Sequence, residues 1–175
     1  GYVCTFSALI LKGRELHLLH VGDSRIYRLH PQALEQLSDD HRVRLSSTES
    51  YLGRALGAGP YVEIDYRGWE AEAGEVYLLA TDGAYALLQA ADVQQALAAH
   101  PADLDAAAAA LVALAQARGQ HGTCQVNLRH DPAAEDVAIG IAVGRHGHDL
   151  EHQLMGLADF IGQAVQKVAV VGRVV

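Results

Sequence analysis

Apolar and β-branched runs separated by short polar turns fill the first half of the chain, and this pattern predicts strands. Val3–Leu11 and Glu15–Val21 flank the turn Lys12-Gly13, an arrangement typical of a β-hairpin. The same pattern predicts further strands at 26–29, 34–37, 61–66 and 75–80. Residues 41–59 have no such alternation and are interpreted as loop and short helix.

The second half changes to a helical period. Helices are predicted at 84–88, 91–99 and 104–118, the last ending at Gly119. Strands are predicted at 124–128 and 137–143, followed by a helix over 149–167 and a strand over 168–175. The Gly/His stretch 144–148 is interpreted as a boundary. We therefore expect a domain over residues 1–143 and a C-terminal extension over 144–175 to which the sequence assigns no role.

Composition narrows the class of protein. Half of the 175 residues are hydrophobic and 19% are charged, which favours a folded domain with a sizeable core. The formal charge of −8 disfavours nucleic acid and anionic membranes as partners. Two cysteines without a CxxC pair, together with no transmembrane-length run and no signal peptide, favour the cytoplasm. Because strand-like residues begin at once without an initiator Met, we expect the true N-terminus to lie upstream.

The stretch Glu75–Gly83 carries the first candidate chemistry. Its buried strand leads directly into Thr81-Asp82-Gly83, so the Asp82 carboxylate is expected at the sheet edge, where a hard cation such as Mg²⁺ can bind. The alternative is that Asp82 only caps a helix beginning near Ala84. A nucleophilic aspartate is disfavoured, because that chemistry needs a second Asp on the same loop and Gly-Ala-Tyr follows here.

Two other patterns are weaker. His148 and His152 have the i,i+4 spacing that can bind a transition metal, but no third fixed ligand accompanies them, so an exposed helix start is favoured. Gly57-Ala58-Gly59 is followed by Pro60 and a strand rather than by a helix, which indicates a turn and not a dinucleotide site.

Four motifs occur in one order along the chain. They are HVGDSRIY (His20–Tyr27), LSDDH (Leu37–His41), GRALG (Gly53–Gly57) and LLATDG (Leu78–Gly83). Each alone is a weak or moderate signal. Together they resemble the PPM-type (type 2C) metal-dependent Ser/Thr protein phosphatases, in particular bacterial members, including those fused to a protein kinase domain. The resemblance covers residues 3–118 and continues to the strand at 137–143.

The resemblance implies an α+β fold, a four-layer α-β-β-α sandwich of two antiparallel sheets, incomplete here at its N-terminus. It implies two Mg²⁺ or Mn²⁺ ions and hydrolysis of phosphoserine and phosphothreonine by a metal-activated water, with no catalytic side chain beyond that water. The implied partners are a phosphorylated protein substrate and a kinase domain in the same chain or operon. The implied setting is signalling in a bacterial cytoplasm.

Motif matching then assigns residues to this site. Asp82 and Gly83 would bind metal, and Asp23 would lie near the cluster, where a further metal binds in bacterial members. Arg25, Asp40 and His41 match motif residues that are expected to hold turns rather than to do chemistry.

Two departures separate this chain from the family pattern. The early Arg that grips phosphate and the early Asp-Gly pair should precede residue 3, and the late Asp-Asn pair is not present. Glu135-Asp136, ahead of strand 137–143, is the favoured replacement for the late pair. In the competing register His121–Thr123 takes the position of the late pair, before a strand at 124–126. That register supplies no metal ligand. We therefore expect little turnover from this chain, and the alternative function is a non-catalytic phosphatase-fold binding or regulatory module.

Overall fold

The computed structural model describes residues 3–47, 49–119, 124, 126–130, 137–144 and 168–170. The strands are β1 (Cys4–Lys12), β2 (Glu15–Val21), β3 (Arg25–His30), β4 (Ala33–Gln36), β5 (Arg42–Arg44), β6 (Ser50–Leu52), β7 (Asp65–Glu70), β8 (Val76–Ala80), β9 (Val126–His130), β10 (Val137–Gly144) and β11 (Val168–Val170). The helices are α1 (Asp82–Tyr85), α2 (Ala90–Ala99) and α3 (Leu104–Ala117). No helix in these ranges is long and apolar enough to cross a membrane.

Contacts divide the chain into two units. The first comprises Gly1–Ser24, Asp40–Glu72 and Pro132–Val175, and the second comprises Arg25–Asp39 and Ala73–Asp131. The boundary expected at 143–144 stays a prediction, because residues 145–167 lie outside the described residues.

A five-stranded sheet in the order β11-β10-β1-β2-β7 forms the first unit. Its central strand β1 pairs antiparallel with β2 and with β10, and every residue of β1 except Lys12 is buried. This burial on both faces explains the continuous apolar run of β1. The β10–β11 pair is parallel, unlike the antiparallel pairs that were expected. Residues 145–167 separate these two strands, which is long enough for the crossover that parallel pairing requires.

Two sequence expectations in the first unit were wrong. Residues 42–52 form the antiparallel hairpin β5–β6 instead of loop and short helix. The strand expected at 61–66 is β7, which begins at Asp65 and runs to Glu70. Pairing with β2 sets this position, because Trp69 lies opposite Leu16 and Tyr66 opposite Leu19.

The second unit contains a four-stranded antiparallel sheet in the order β4-β3-β8-β9. Helix α3 packs against β9 and against α2. Its N-terminus is capped by Asp103, whose side chain accepts a hydrogen bond from the Ala106 N–H, and it ends before Gly119. Small side chains let the helices approach the sheet closely, and the core consists of Tyr27, Leu78, Ala80, Ala84, Leu88, Val93, Ala96, Ala107, Ala108, Leu111, Ala115, Val126 and Leu128.

Candidate functional site

Asp82 lies directly after the end of β8. Thr81 has extended backbone angles and occupies the N-cap position, so α1 begins at Asp82 rather than near Ala84 as expected. The Asp82 side chain is exposed, and its Oδ1 accepts a hydrogen bond of 2.8 Å from the Gly83 N–H. An acidic group in the first turn also complements the helix dipole. The position is therefore compatible with both interpretations of Asp82, a helix-terminal carboxylate and a cation ligand.

Arg25 contacts the helix that Asp82 begins. Its guanidinium carbon lies 3.9 Å from the centroid of the Tyr85 ring, and its Nη1 donates a hydrogen bond of 3.2 Å to the Tyr27 hydroxyl. A guanidinium over an aromatic face is an attractive contact. These contacts support a packing role for Arg25, which stays a prediction.

Two strands, β9 and β10, are candidates for the strand that follows the late ligand pair in the family pattern. The first, β9, pairs with β8, and its first residue Val126 lies opposite Ala80, next to Thr81 and Asp82 in the chain. The second, β10, pairs with β1, and its first residue Val137 lies opposite Leu11.

Within the second unit, β9 thus begins beside the Asp82 turn at Val126, the residue at which the strand of the competing register, 124–126, ends. Glu135, Asp136 and His121–Thr123 all lie outside the described residues, as do His148 and His152. The assignment of Glu135 and Asp136 as metal ligands remains a prediction.

The turn after β2 is fixed through the peptide groups of Gly22. Its φ is 114°, and a Cβ added here would lie 2.4 Å from Cγ2 of Thr5, so only glycine fits. The Gly22 N–H donates to Nδ1 of His41 at 3.0 Å, and its carbonyl accepts from the His41 N–H at 2.8 Å. Since Nδ1 accepts, the proton of a neutral His41 ring is on Nε2, 2.8 Å from Oδ2 of Asp65.

Asp65 completes this network from the start of β7. Its Oδ1 accepts a hydrogen bond of 2.6 Å from Nη1 of Arg54. The hydrogen bond from His41, and secondarily the one from Arg54, lower the pKa of Asp65 below its ordinary value. His41 is thus held between the Gly22 turn and a carboxylate, which supports the expected turn-holding role. Asp65 was not predicted to be a site residue, and the sequence signal for its ion pair with Arg54 was the GRALG motif that contains Arg54.

A layer of buried polar side chains lies beneath the same turn. Thr5 and Ser24 share a hydroxyl–hydroxyl hydrogen bond of 2.8 Å. The fully buried His20 ring lies 2.8 Å from the Ser7 hydroxyl through Nδ1 and 3.1 Å from the Gly22 carbonyl through Nε2. Because each of these groups has a partner, burying them does not incur the cost of an unsatisfied polar atom.

Asp23 is held by an arginine. Nη1 of Arg42 lies 2.5 Å from Oδ2 of Asp23, whose side chain is 14% exposed. Arg42 also donates to the Ser50 hydroxyl from Nη2 at 2.9 Å and from Nε at 3.1 Å. Asp40 contributes its backbone carbonyl, which accepts from the Arg42 N–H at 3.0 Å.

These positions bear on the implied metal centre. Asp82 belongs to the second unit and Asp23 to the first. Among the described residues, no group of three or more His, Cys, Asp or Glu side chains lies close enough together to hold a metal ion. Asp82 is chemically suited to a hard cation, but the described part of the chain does not by itself build a two-metal site.

Comparison with known proteins supports the resemblance. No protein-family model matches the chain. The serine/threonine protein phosphatase PstP of Mycobacterium tuberculosis is 33% identical over 97 residues, which cover 47% of this chain and 19% of that protein. The structure of PppA, described as a key regulatory component of T6SS in Pseudomonas aeruginosa, matches with a TM-score of 0.60 and 25% identity over 70% of this chain and 56% of that one.

A third match is the catalytic domain of PstP in complex with two manganese ions, with a TM-score of 0.57 and 27% identity over 71% of this chain and 56% of that one. The relatives in sequence and the neighbours in structure are thus PPM-type Ser/Thr phosphatases, and the expected α+β fold is confirmed. The chain spans 19% of the curated relative and 56% of both structural neighbours.

Proposed function

We propose that this chain contributes to a PPM-type protein phosphatase that removes phosphate from phosphoserine and phosphothreonine in proteins. The observation that carries the proposal is the end of β8, where LLATDG presents the exposed Asp82 carboxylate in a fold shared with PstP. A carboxylate at that position suits Mg²⁺ or Mn²⁺, which bind oxygen ligands.

The proposed metal ligands of this chain are Asp82 and Gly83, with Glu135 and Asp136 as candidates for the late pair. The two manganese ions in the PstP catalytic domain support a Mg²⁺ or Mn²⁺ requirement. Such ions, when bound, supply an activated water and offset the charge of the phosphoryl oxygens. The contribution of the chain itself is to present carboxylate oxygen at the end of β8 and to hold that turn in place through Arg25 and Tyr85.

The remaining parts of the proposal follow from the same resemblance. The substrate is a phosphorylated protein, the setting is signalling in a bacterial cytoplasm, and a kinase domain in the same chain or operon is the opposing activity. The 175-residue chain alone is proposed to show little turnover, because the late Asp-Asn pair of the family pattern does not occur in its sequence.

The lack of this pair also favours a second candidate function, a phosphatase-fold module that binds or regulates without turnover. The two candidates differ in one measurable respect. A phosphatase hydrolyses a phosphopeptide in a Mn²⁺-dependent way when it is assayed as the complete natural protein, whereas a non-catalytic module does not.

Asp82→Asn tests the proposal in the complete natural protein, assayed with a phosphothreonine peptide and Mn²⁺. We expect Mn²⁺-dependent kcat/KM to fall by about 10–100-fold or more, since a ligand to the metal is lost. Asp105→Asn is the matched control, because Asp105 is also an exposed acidic residue in the first turn of a helix. It should leave the rate unchanged. An equal rate in wild type and Asp82→Asn would refute the ligand assignment, and no Mn²⁺-dependent hydrolysis by the wild type would favour the non-catalytic module.

A further inference from the structure

We infer that the Arg42 guanidinium neutralises the Asp23 carboxylate in this chain. It takes the place of the further divalent cation that the resemblance implies near Asp23. The inference deepens the proposed function and rests on it, because it states which of the acidic motif residues are left to bind metal. It also identifies the partner of the Asp23 carboxylate, which the GDSR motif alone does not reveal.

The geometry of Arg42 carries the inference. Its Nη1 lies 2.5 Å from Oδ2 of Asp23, a short contact of the kind that a charge-assisted hydrogen bond makes. The rest of its guanidinium is held by Ser50, through the hydroxyl at 2.9 and 3.1 Å and through the carbonyl at 3.4 Å. Arg42 is on β5 and Ser50 on β6. Pairing of these two strands therefore holds the guanidinium in position to bind Asp23. A preformed contact of this kind is favourable because little side-chain freedom is lost.

A divalent cation and Arg42 compete for the same carboxylate. A metal bound to Asp23 would lie close to a guanidinium that is always protonated, and like charges at such a distance repel strongly where water is partly excluded. The Asp23 side chain is only 14% exposed, so solvent screens this repulsion weakly. Binding a metal at Oδ2 would require Arg42 to leave that oxygen.

The other groups of the turn also have protein partners. The Gly22 peptide groups are bound by His41, and the Ser24 hydroxyl is bound by Thr5. With Arg42 on Asp23, the turn is therefore held by contacts within the protein, from the backbone N–H of His41 and from side chains. A turn of this kind is expected to stay formed when metal is removed.

A double-mutant cycle in the 175-residue chain tests the inference in the presence of EDTA. Asp23→Asn, Arg42→Gln and the double variant are compared by urea midpoint. We expect both single variants to lower the midpoint, and the double variant to lower it no further than Arg42→Gln, since the two changes remove one shared interaction. Arg42→Lys, which keeps the charge, should recover part of the loss. Arg44→Gln, an exposed residue of the same strand, is the control and should change the midpoint little.

A Mn²⁺ titration of the same variants gives the second result. Asp23→Asn should bind Mn²⁺ like the wild type, whereas loss of a true ligand weakens affinity by about tenfold or more. Loss of a bound ion in Asp23→Asn, or additive midpoint shifts in EDTA, would overturn the inference. The cycle is measured without metal, so it remains decisive even if the 175-residue chain binds no Mn²⁺, while the proposed function is tested separately by the phosphatase assay of the complete natural protein.

Discussion

Single residues of the first unit are fixed by backbone as much as by side-chain contacts, and Gly22 is the clearest example. Its left-handed φ of 114° aims both its N–H and its carbonyl at His41. The space where a side chain would project is filled by Thr5. The sequence could predict the turn from Gly22-Asp23-Ser24-Arg25, but not the residues that close it, because Thr5 and His41 are distant along the chain.

Gly22→Ala should therefore destabilise the protein severely. The left-handed conformation and the contact with Thr5 together are expected to lower the free energy of unfolding by about 2–5 kcal/mol. Gly74→Ala is the matched control: Gly74 has a φ of 88°, but no atom of the described residues lies within 4 Å of the added Cβ. Its cost should be about 1–2 kcal/mol, that of the left-handed conformation alone. Urea denaturation measures both, and equal costs would show that the Thr5 contact is unimportant.

Asp65 gives the protein a specific pH dependence. The hydrogen bonds from His41 and Arg54 lower its pKa in the folded state, so its charged form stabilises folding above the unfolded pKa of about 4. That contribution is lost as the pH falls through the folded pKa. The difference in unfolding free energy between wild type and Asp65→Asn should thus be largest at neutral pH and shrink below about pH 4. Chemical denaturation at a series of pH values measures it, and a difference independent of pH would contradict the account.

Strands were predictable from the sequence where burial on both faces requires an unbroken run of apolar residues. β1 and β8 were anticipated because continuous apolar runs are typical of strands buried on both faces. The β5–β6 hairpin was missed because its residues are mostly exposed, so they show no alternation between apolar and polar positions. The position of β7 was wrong by several residues, since pairing with β2, and not its own pattern, sets its register.

An ion pair at the end of α3 links this helix to α2. Both terminal nitrogens of Arg118 bind Asp92, at 2.6 and 2.8 Å, and Nη1 also donates to the Leu87 carbonyl. The Arg118 guanidinium, and secondarily the Gln89 N–H, lower the pKa of Asp92. A bidentate pair of this kind fixes geometry more firmly than a single exposed contact.

Arg118→Ala should lower the thermal unfolding midpoint, because it removes two charge-assisted hydrogen bonds and leaves Asp92 without its cation. Arg14→Ala, which removes the exposed Arg14–Glu70 pair, is the control and should change stability by less than about 0.5 kcal/mol. Thermal unfolding of the two variants measures the difference. Equal shifts would show that Arg118 does not fasten α2 to α3.

At the scale of the whole molecule, four motifs in order were enough to anticipate the fold and the family resemblance, which the structural neighbours support. The candidate site was anticipated less well. Asp82 lies where its motif indicated, but the cation on Asp23 is Arg42, nineteen residues away, a contact that only the folded hairpin creates. Which late residue joins Asp82 depends on residues that lie outside the described ranges.

The most direct test of the central claim, that Asp82 is a metal ligand, is a Mn²⁺ titration followed by the electron paramagnetic resonance signal of the free ion. Wild type, Asp82→Asn and Asp105→Asn are compared in the same buffer. The account predicts that Asp82→Asn raises the Kd for Mn²⁺ by about tenfold or more, while Asp105→Asn leaves it unchanged. Binding by Asp82→Asn that equals the wild type would contradict it.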